Sequence, residues 1–250
     1  MEVLRITGKG ITTSFRYPHF IQGVHPTFEM PPPSTIYGHI CSALGEWFDP
    51  QGVWFAYCFR FDAKFFDVEH LHIVREVKSR SKVKGTDYPL ATEGNINPWK
   101  REILFNPTLT LYINKPEWYE KFHSPKYPVA LGRSQDLFTY TDVEVIKLIE
   151  SDQAYFENTL LPYEMGLRVG AGYAVLMPRY LDYERGRAPV FERYYVLRRR
   201  VFSSDLIKIR GNDDPFWVDP SSEEVKGSKL GLAFHSFVDD DGGTTMAGTS

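Results

Sequence analysis

Cysteine is almost absent from this chain. Cys41 and Cys58 are the only two in 250 residues, too few for a disulfide framework and without metal-ligand spacing, so both are expected to be buried thiols. Long apolar runs are missing as well. None approaches the roughly 18 residues of a membrane span, and no signal-peptide pattern opens the chain. These absences point to a protein of the cytoplasm with no membrane partner. Charge of one sign is also lacking: the formal net charge is −3, so the chain as a whole is no polyanion binder and any nucleic-acid site must be a local patch. The dinucleotide fingerprint is not met either. Gly166, Gly170 and Gly172 spell G-x-x-x-G-x-G, without a clear amphipathic helix behind them, which argues against a nucleotide cofactor. His70 and His72 share a strand face, yet no further Cys or His lies close in sequence, so no metal site is expected.

Aromatic residues are plentiful instead, with fifteen Tyr and eighteen Phe, and a hydrophobic content of 42% suits a chain long enough to bury a sizeable core. Glu2 to Thr12 alternates as a strand. Met30-Pro31-Pro32-Pro33-Ser34-Thr35 then approaches a helix whose apolar face is Ile36, Ile40, Ala43, Leu44 and Trp47. Ser34 or Thr35 is expected to cap it, and Gly38 and Gly45 suggest close approach of another backbone. Val53 to Phe61 reads as a central strand and Lys64 to Val77 as another strand or hairpin arm. Leu104 to Asn114 returns as a strand, Pro116 to Phe122 is a short helix, and Asp142 to Ile149 fits a helix or a strand. Arg193 to Phe202 is strand-like and includes Arg198-Arg199-Arg200.

Three stretches carry candidate chemistry. Lys78, Arg80, Lys82 and Lys84, if extended, form a row of cations about 6–7 Å apart, commensurate with the phosphates of a single strand. The segment 79–102, ending in Trp99-Lys100-Arg101, is expected to protrude as an arm; an ordinary solvated loop fits the same residues. Gly132-Arg133-Ser134-Gln135-Asp136 offers a guanidinium for phosphate or a guanine edge and two polar side chains for a single-stranded base. The same residues also make a plain turn capped by Asp136. Arg168 belongs to the glycine-rich stretch, where backbone N–H groups either face phosphate or simply make a tight turn.

Ser14-Phe15-Arg16-Tyr17-Pro18, the block from Pro31 to Gly45 and Ala130-Leu131-Gly132-Arg133-Ser134-Gln135-Asp136-Leu137 together resemble CRISPR-associated protein family five, of the RAMP superfamily. That family is the type I Cascade subunit that caps the 5′ handle of the guide RNA (crRNA). The resemblance runs from Met1 to about Pro178. It implies an α+β fold: a ferredoxin-like, RRM-like βαββαβ domain over 1–178 with an inserted β-arm, or thumb, at 79–102. A C-terminal β-rich extension over 179–238 and a disordered tail over 239–250 complete the expectation. RNA contacts are expected from Arg16, Tyr17, Tyr37, Lys78, Arg80, Lys82, Lys84, Arg101, Arg133, Ser134, Gln135 and Arg168, with His39 as a further edge contact. The implied partners are the crRNA 5′ handle, the Cascade backbone and large subunits, and target DNA through the assembled complex. No catalytic residue and no cofactor are expected. Some relatives process repeat RNA with a Tyr/Lys/His set, for which His25, Tyr37, His123 and Lys126 are the available groups. A metal-independent endoribonuclease is therefore one alternative, and a protein-interaction module without RNA contact is another.

Overall fold

The computed structural model describes residues 1–20, 23–76, 81–88, 91–207 and 215–239. Its labelled elements are, in chain order, β1 (Glu2–Gly10), α1 (Pro33–Leu44), β2 (Trp54–Arg60), β3 (Ala63–Glu76), β4 (Ala91–Phe105), β5 (Thr108–Ile113), α2 (Tyr119–His123), β6 (Phe138–Lys147), β7 (Thr159–Pro162), α3 (Tyr163–Leu167), β8 (Tyr173–Asp182) and β9 (Ala188–Leu197). The main sheet is antiparallel and runs β8-β9-β7-β2-β5-β1-β6, with His235–Ser236 pairing against β2. α1 connects β1 to β2, and α2 lies between β5 and β6. The fold is α+β, with far more strand than helix.

Period-two alternation gives the sheet two apolar faces. Leu4, Ile6, Phe55, Tyr57, Phe59, Leu109, Leu111 and Ile113 share one core with Ile36, Ile40, Ala43 and Leu44 of α1. The intervening residues Val3, Ala56 and Tyr112 point the other way and pack with Leu148, Leu232 and Phe234. A five-stranded sheet (Ile149–Ser151, Ala154–Phe156, Val201–Phe202, Phe216–Asp219, Lys229–Gly231) therefore covers part of the face that an RNA-recognition module leaves open. Tyr112 shows why its ring is not a stacking platform: it is buried, and its hydroxyl donates to Asp219 Oδ2 at 2.9 Å.

α1 begins two residues earlier than a Ser34 cap requires, and three earlier than a Thr35 cap. Pro32 is the N-cap and Pro33 the first helical residue, and no side-chain hydrogen bond closes the start. The Pro32 carbonyl accepts from the Thr35 and Ile36 N–H groups at 2.8 and 3.1 Å, and the fixed φ of proline pre-sets the first turn. Gly45, at φ +82°, ends the helix by donating to the Cys41 carbonyl. A Cβ there would strike the Lys126 side chain, whereas one at Gly38 would meet nothing. The expected approach of another backbone is thus a side-chain contact at Gly45 and is absent at Gly38. Trp47 lies beyond the helix and is 61% exposed.

β3 and β4 form one long antiparallel hairpin, in register from Ala63↔Phe105 to Glu76↔Ala91. Of the arm expected at 79–102, residues 91–102 belong to the second strand of this ribbon, whose first strand starts at Ala63. Thr12–Thr13 and Val24–His25 pair with the other edge of β4 and root the arm in the body. The boundary expected at residue 178 falls inside β8, and Tyr194, Val196 and Phe237 sit in the same core as Leu4 and Ile6. Residues past 178 are woven into the main sheet. The expected tail lies, apart from Asp239, outside the described residues.

Candidate nucleic-acid interface

The arm root is where the separated sequence blocks meet. Thr13 donates its hydroxyl to the Leu131 carbonyl at 2.5 Å, and Thr12 donates to Asp136 Oδ1 at 3.1 Å. His39 of α1 donates from Nδ1 to the Ala130 carbonyl at 2.9 Å and accepts at Nε2 from the Tyr140 hydroxyl at 3.0 Å. Ser14 donates to the Glu102 carbonyl on the arm at 2.9 Å. The 130–137 loop, the 12–18 segment, α1 and the base of β4 are thereby fastened around one point. Gly132 makes the fit possible. Its φ is +98°, and a Cβ would lie 2.5 Å from Thr13 Oγ1 and 2.9 Å from the Ser14 carbonyl.

Arg133, Gln135 and Arg101 converge there. Arg133 donates Nε and Nη2 to the buried Asp136 carboxylate at 2.8 and 2.7 Å, and its backbone N–H donates to the same group. The Asp136-capped turn is therefore real, and it aims the rest of the guanidinium. Arg133 Nη1 reaches Glu69 of the arm at 3.4 Å, Gln135 Nε2 reaches it at 3.1 Å, and Arg101 Nε pairs with it at 2.5 Å. The Arg101 and Gln135 hydrogen bonds and the two guanidinium charges outweigh desolvation and hold the Glu69 carboxyl below its ordinary range. Ser134 is exposed on the same loop. Arg16 is exposed, with its backbone bridged to Thr27. Tyr17 stacks on Phe28 at 3.7 Å, and burial, then Glu29, raises its hydroxyl pKa.

Other expected contacts are placed elsewhere. Tyr37 is 2% exposed and donates to the Phe48 carbonyl at 2.7 Å, so it is a core residue and cannot stack on a base. Its spacing on the helix put it on the buried face, not at an edge. His39 is likewise buried and used. Lys78 and Arg80 lie outside the described residues. Lys82 pairs with Asp87 at 2.7 Å, and the chain turns at Lys84 and Gly85 (φ +83°). The extended spacing that a straight row of cations requires therefore stops at the hairpin end. Arg168 caps α3 and donates Nε to the Ile207 carbonyl at 3.0 Å. Arg198 lies over the Phe61 ring at 4.2 Å, beside Glu29, and Arg200 makes a two-pronged pair with Glu157 at 2.8 and 3.0 Å.

The Tyr/Lys/His groups considered for RNA cleavage have different neighbourhoods. His25 packs against Trp99 (centroids 4.3 Å), Tyr37 against Phe48 and Tyr180, and His123 stacks on Tyr119. The Lys126 stem covers Gly45. No contact among the described residues joins them into a proton-transfer set.

Sequence reasoning missed Glu69, and it named His25 only as a cleavage group and Trp99 only as part of the arm's end, not as a packed pair. Glu69 stands in an alternating strand with nothing local to mark it; only the β3–β4 register places it diagonal to Arg101. A recess of about 240 Å³, away from the arm root, is lined by Arg60, Thr108, Thr110, Tyr155 and Glu157 among others.

No family model and no curated protein matches the chain. Solved structures do. A chain of a CRISPR RNA-guided surveillance complex is 14% identical, with 85% of this chain and 95% of that chain covered and a TM-score of 0.48. A CRISPR protein from Archaeoglobus fulgidus is 11% identical over 94% and 99% of the two chains, with a TM-score of 0.43. A chain of the type III-B Cmr-beta structure bound to cognate target RNA and AMPPnP is 11% identical over 82% and 86%, at 0.42. These neighbours are CRISPR-associated proteins, the kind of protein that the sequence blocks resemble. With TM-scores below 0.5 these likenesses carry no argument about this chain, and its function has to be argued from the site.

Proposed function

We propose that this chain is the crRNA 5′-handle-binding subunit of a type I Cascade complex and acts as a non-catalytic cap in RNA-guided DNA targeting. One observation carries the reading: the three sequence blocks that resemble the handle-binding family, far apart in the chain, meet at the root of a long arm and gather Arg101, Arg133 and Gln135 there. Guanidinium groups take phosphate, and the exposed Ser134 and Gln135 suit the edges of splayed bases. In this reading β1-α1-β2-β5-α2-β6 is a ferredoxin-like βαββαβ unit with the arm inserted between β2 and β5. The strand order β2-β5-β1-β6, antiparallel throughout, supports it. Phe66, Val68, Leu71 and Ile96 stand about half exposed along the arm, a surface suited to burial against the backbone or large subunit. Target DNA is then read by guide pairing.

Binding of a labelled 5′-handle oligonucleotide against a scrambled one, across salt and with or without EDTA, tests the reading. Handle preference, affinity falling with salt and intact RNA are expected. Site-specific cleavage in EDTA would make the protein a processing enzyme, and equal binding of both oligonucleotides by the chain and by its assembled complex would refute handle recognition.

A further inference from the structure

Glu69 occupies an unusual place, a carboxylate at the centre of the donors just described. Arg101 and Arg133 both face it, and Gln135 donates to it. A guanidinium meets carboxylate and phosphate oxygens with the same planar fork, and an amide N–H donates to either. The donor set around Glu69 is thus chemically a phosphate site filled by the protein's own anion.

The geometry also says what would follow from its removal. Glu69 belongs to the arm, whereas Arg133 and Gln135 belong to the body loop, so this carboxylate ties one to the other. Asp136 and Thr12 hold the loop independently of Glu69. Arg133 would stay aimed with Nη1 free. Beside the site, His25 is 1% exposed against Trp99, and among the described residues neither ring nitrogen has a hydrogen-bond partner. Arg16 and Arg101 lie close enough to act on its charge. An orphaned buried imidazole of this kind marks a polar site that is incomplete as it stands.

We propose that the Glu69 carboxylate holds the place of an RNA phosphate at the arm root. Binding of single-stranded guide RNA exchanges it for a phosphodiester on Arg101, Arg133 and Gln135, and frees the arm from the 132–136 loop. The inference rests on the RNA-binding reading and adds to it an internal competitor that sets affinity and arm position.

Glu69→Gln and Glu69→Ala test it, with the handle oligonucleotide as probe and thermal unfolding as the check on folding. Both variants should bind about tenfold more tightly, with a salt slope steeper by about 0.7, the increment for one added single-strand phosphate contact. Adding Arg133→Ala to Glu69→Ala should erase the gain. Glu117→Gln removes an exposed carboxylate beside Lys115, away from the loop, and should give none, which separates exchange at the site from a change in overall charge. Unchanged or weaker binding by both Glu69 variants, with the wild type bound, would overturn the inference and leave the proposed function standing. If neither wild type nor variants distinguish the handle, both fall.

Discussion

The Tyr37 hydroxyl donates to the Phe48 carbonyl from a side chain enclosed by Phe48, Tyr180 and Phe237. Tyr37→Phe should therefore lower unfolding free energy by about 1 kcal/mol in urea titration and leave RNA affinity unchanged. A loss of affinity would return Tyr37 to the interface. Histidine burial makes a second prediction at this scale. His25, His39 and His235 are held neutral below the ordinary 6.5, all chiefly by burial, and His235 is lowered to about 4. The unfolded chain binds these protons more readily than the folded one. Stability present above pH 6.5 should thus decline as pH falls toward 4. His235 alone accounts for about 3 kcal/mol of that fall. Asp219 and Glu69, whose pKa values are lowered, add their loss only below the carboxylate range. Urea titrations between pH 7 and 4.5 should show the slope, and His235→Gln should flatten it; an unchanged slope would contradict the assignment.

Among the elements, the 130–137 loop depends on Gly132. An alanine there would collide with Thr13 and the Ser14 carbonyl at a φ that side chains seldom adopt. Gly132→Ala should cost about 1–3 kcal/mol in strain and weaken RNA binding by displacing Arg133, as paired denaturation and binding titrations would show. Stability lost without affinity lost would separate the loop from the site. Much of this level was legible in the sequence: alternation marked β1, a dense run of β-forming residues marked β2, and helical spacing marked the buried face of α1. Arg133, Gln135 and Asp136 stood out by residue type. What escaped depended on pairing across distance. Whether Asp142 to Ile149 was helix or strand was settled by pairing with β1, whose Glu2 to Gly10 aligns against Lys147 to Phe138 of β6. The Lys82–Lys84 spacing assumed a straight chain, and the turn at Gly85 removed that premise.

At the scale of the whole molecule, the family resemblance implied an RRM-like domain, and RNA-recognition modules keep one sheet face open to RNA. The structure closes part of that face with residues from 149 onward, and the late strands β8 and β9 extend the main sheet past the expected boundary. A near-continuous apolar run such as β2 can signal burial on both faces, but which segments supply the cover is decided by contacts distant in sequence. The proposed function accordingly places its nucleic-acid surface at the arm root and not on the partly covered sheet face. Photo-crosslinking of a handle oligonucleotide in the assembled complex, with the linked peptides read by mass spectrometry, tests this most directly. The account predicts crosslinks within 12–18, 99–101 and 132–136. Crosslinks confined to the recess beside Arg60 and Thr110, or to another subunit, would contradict it.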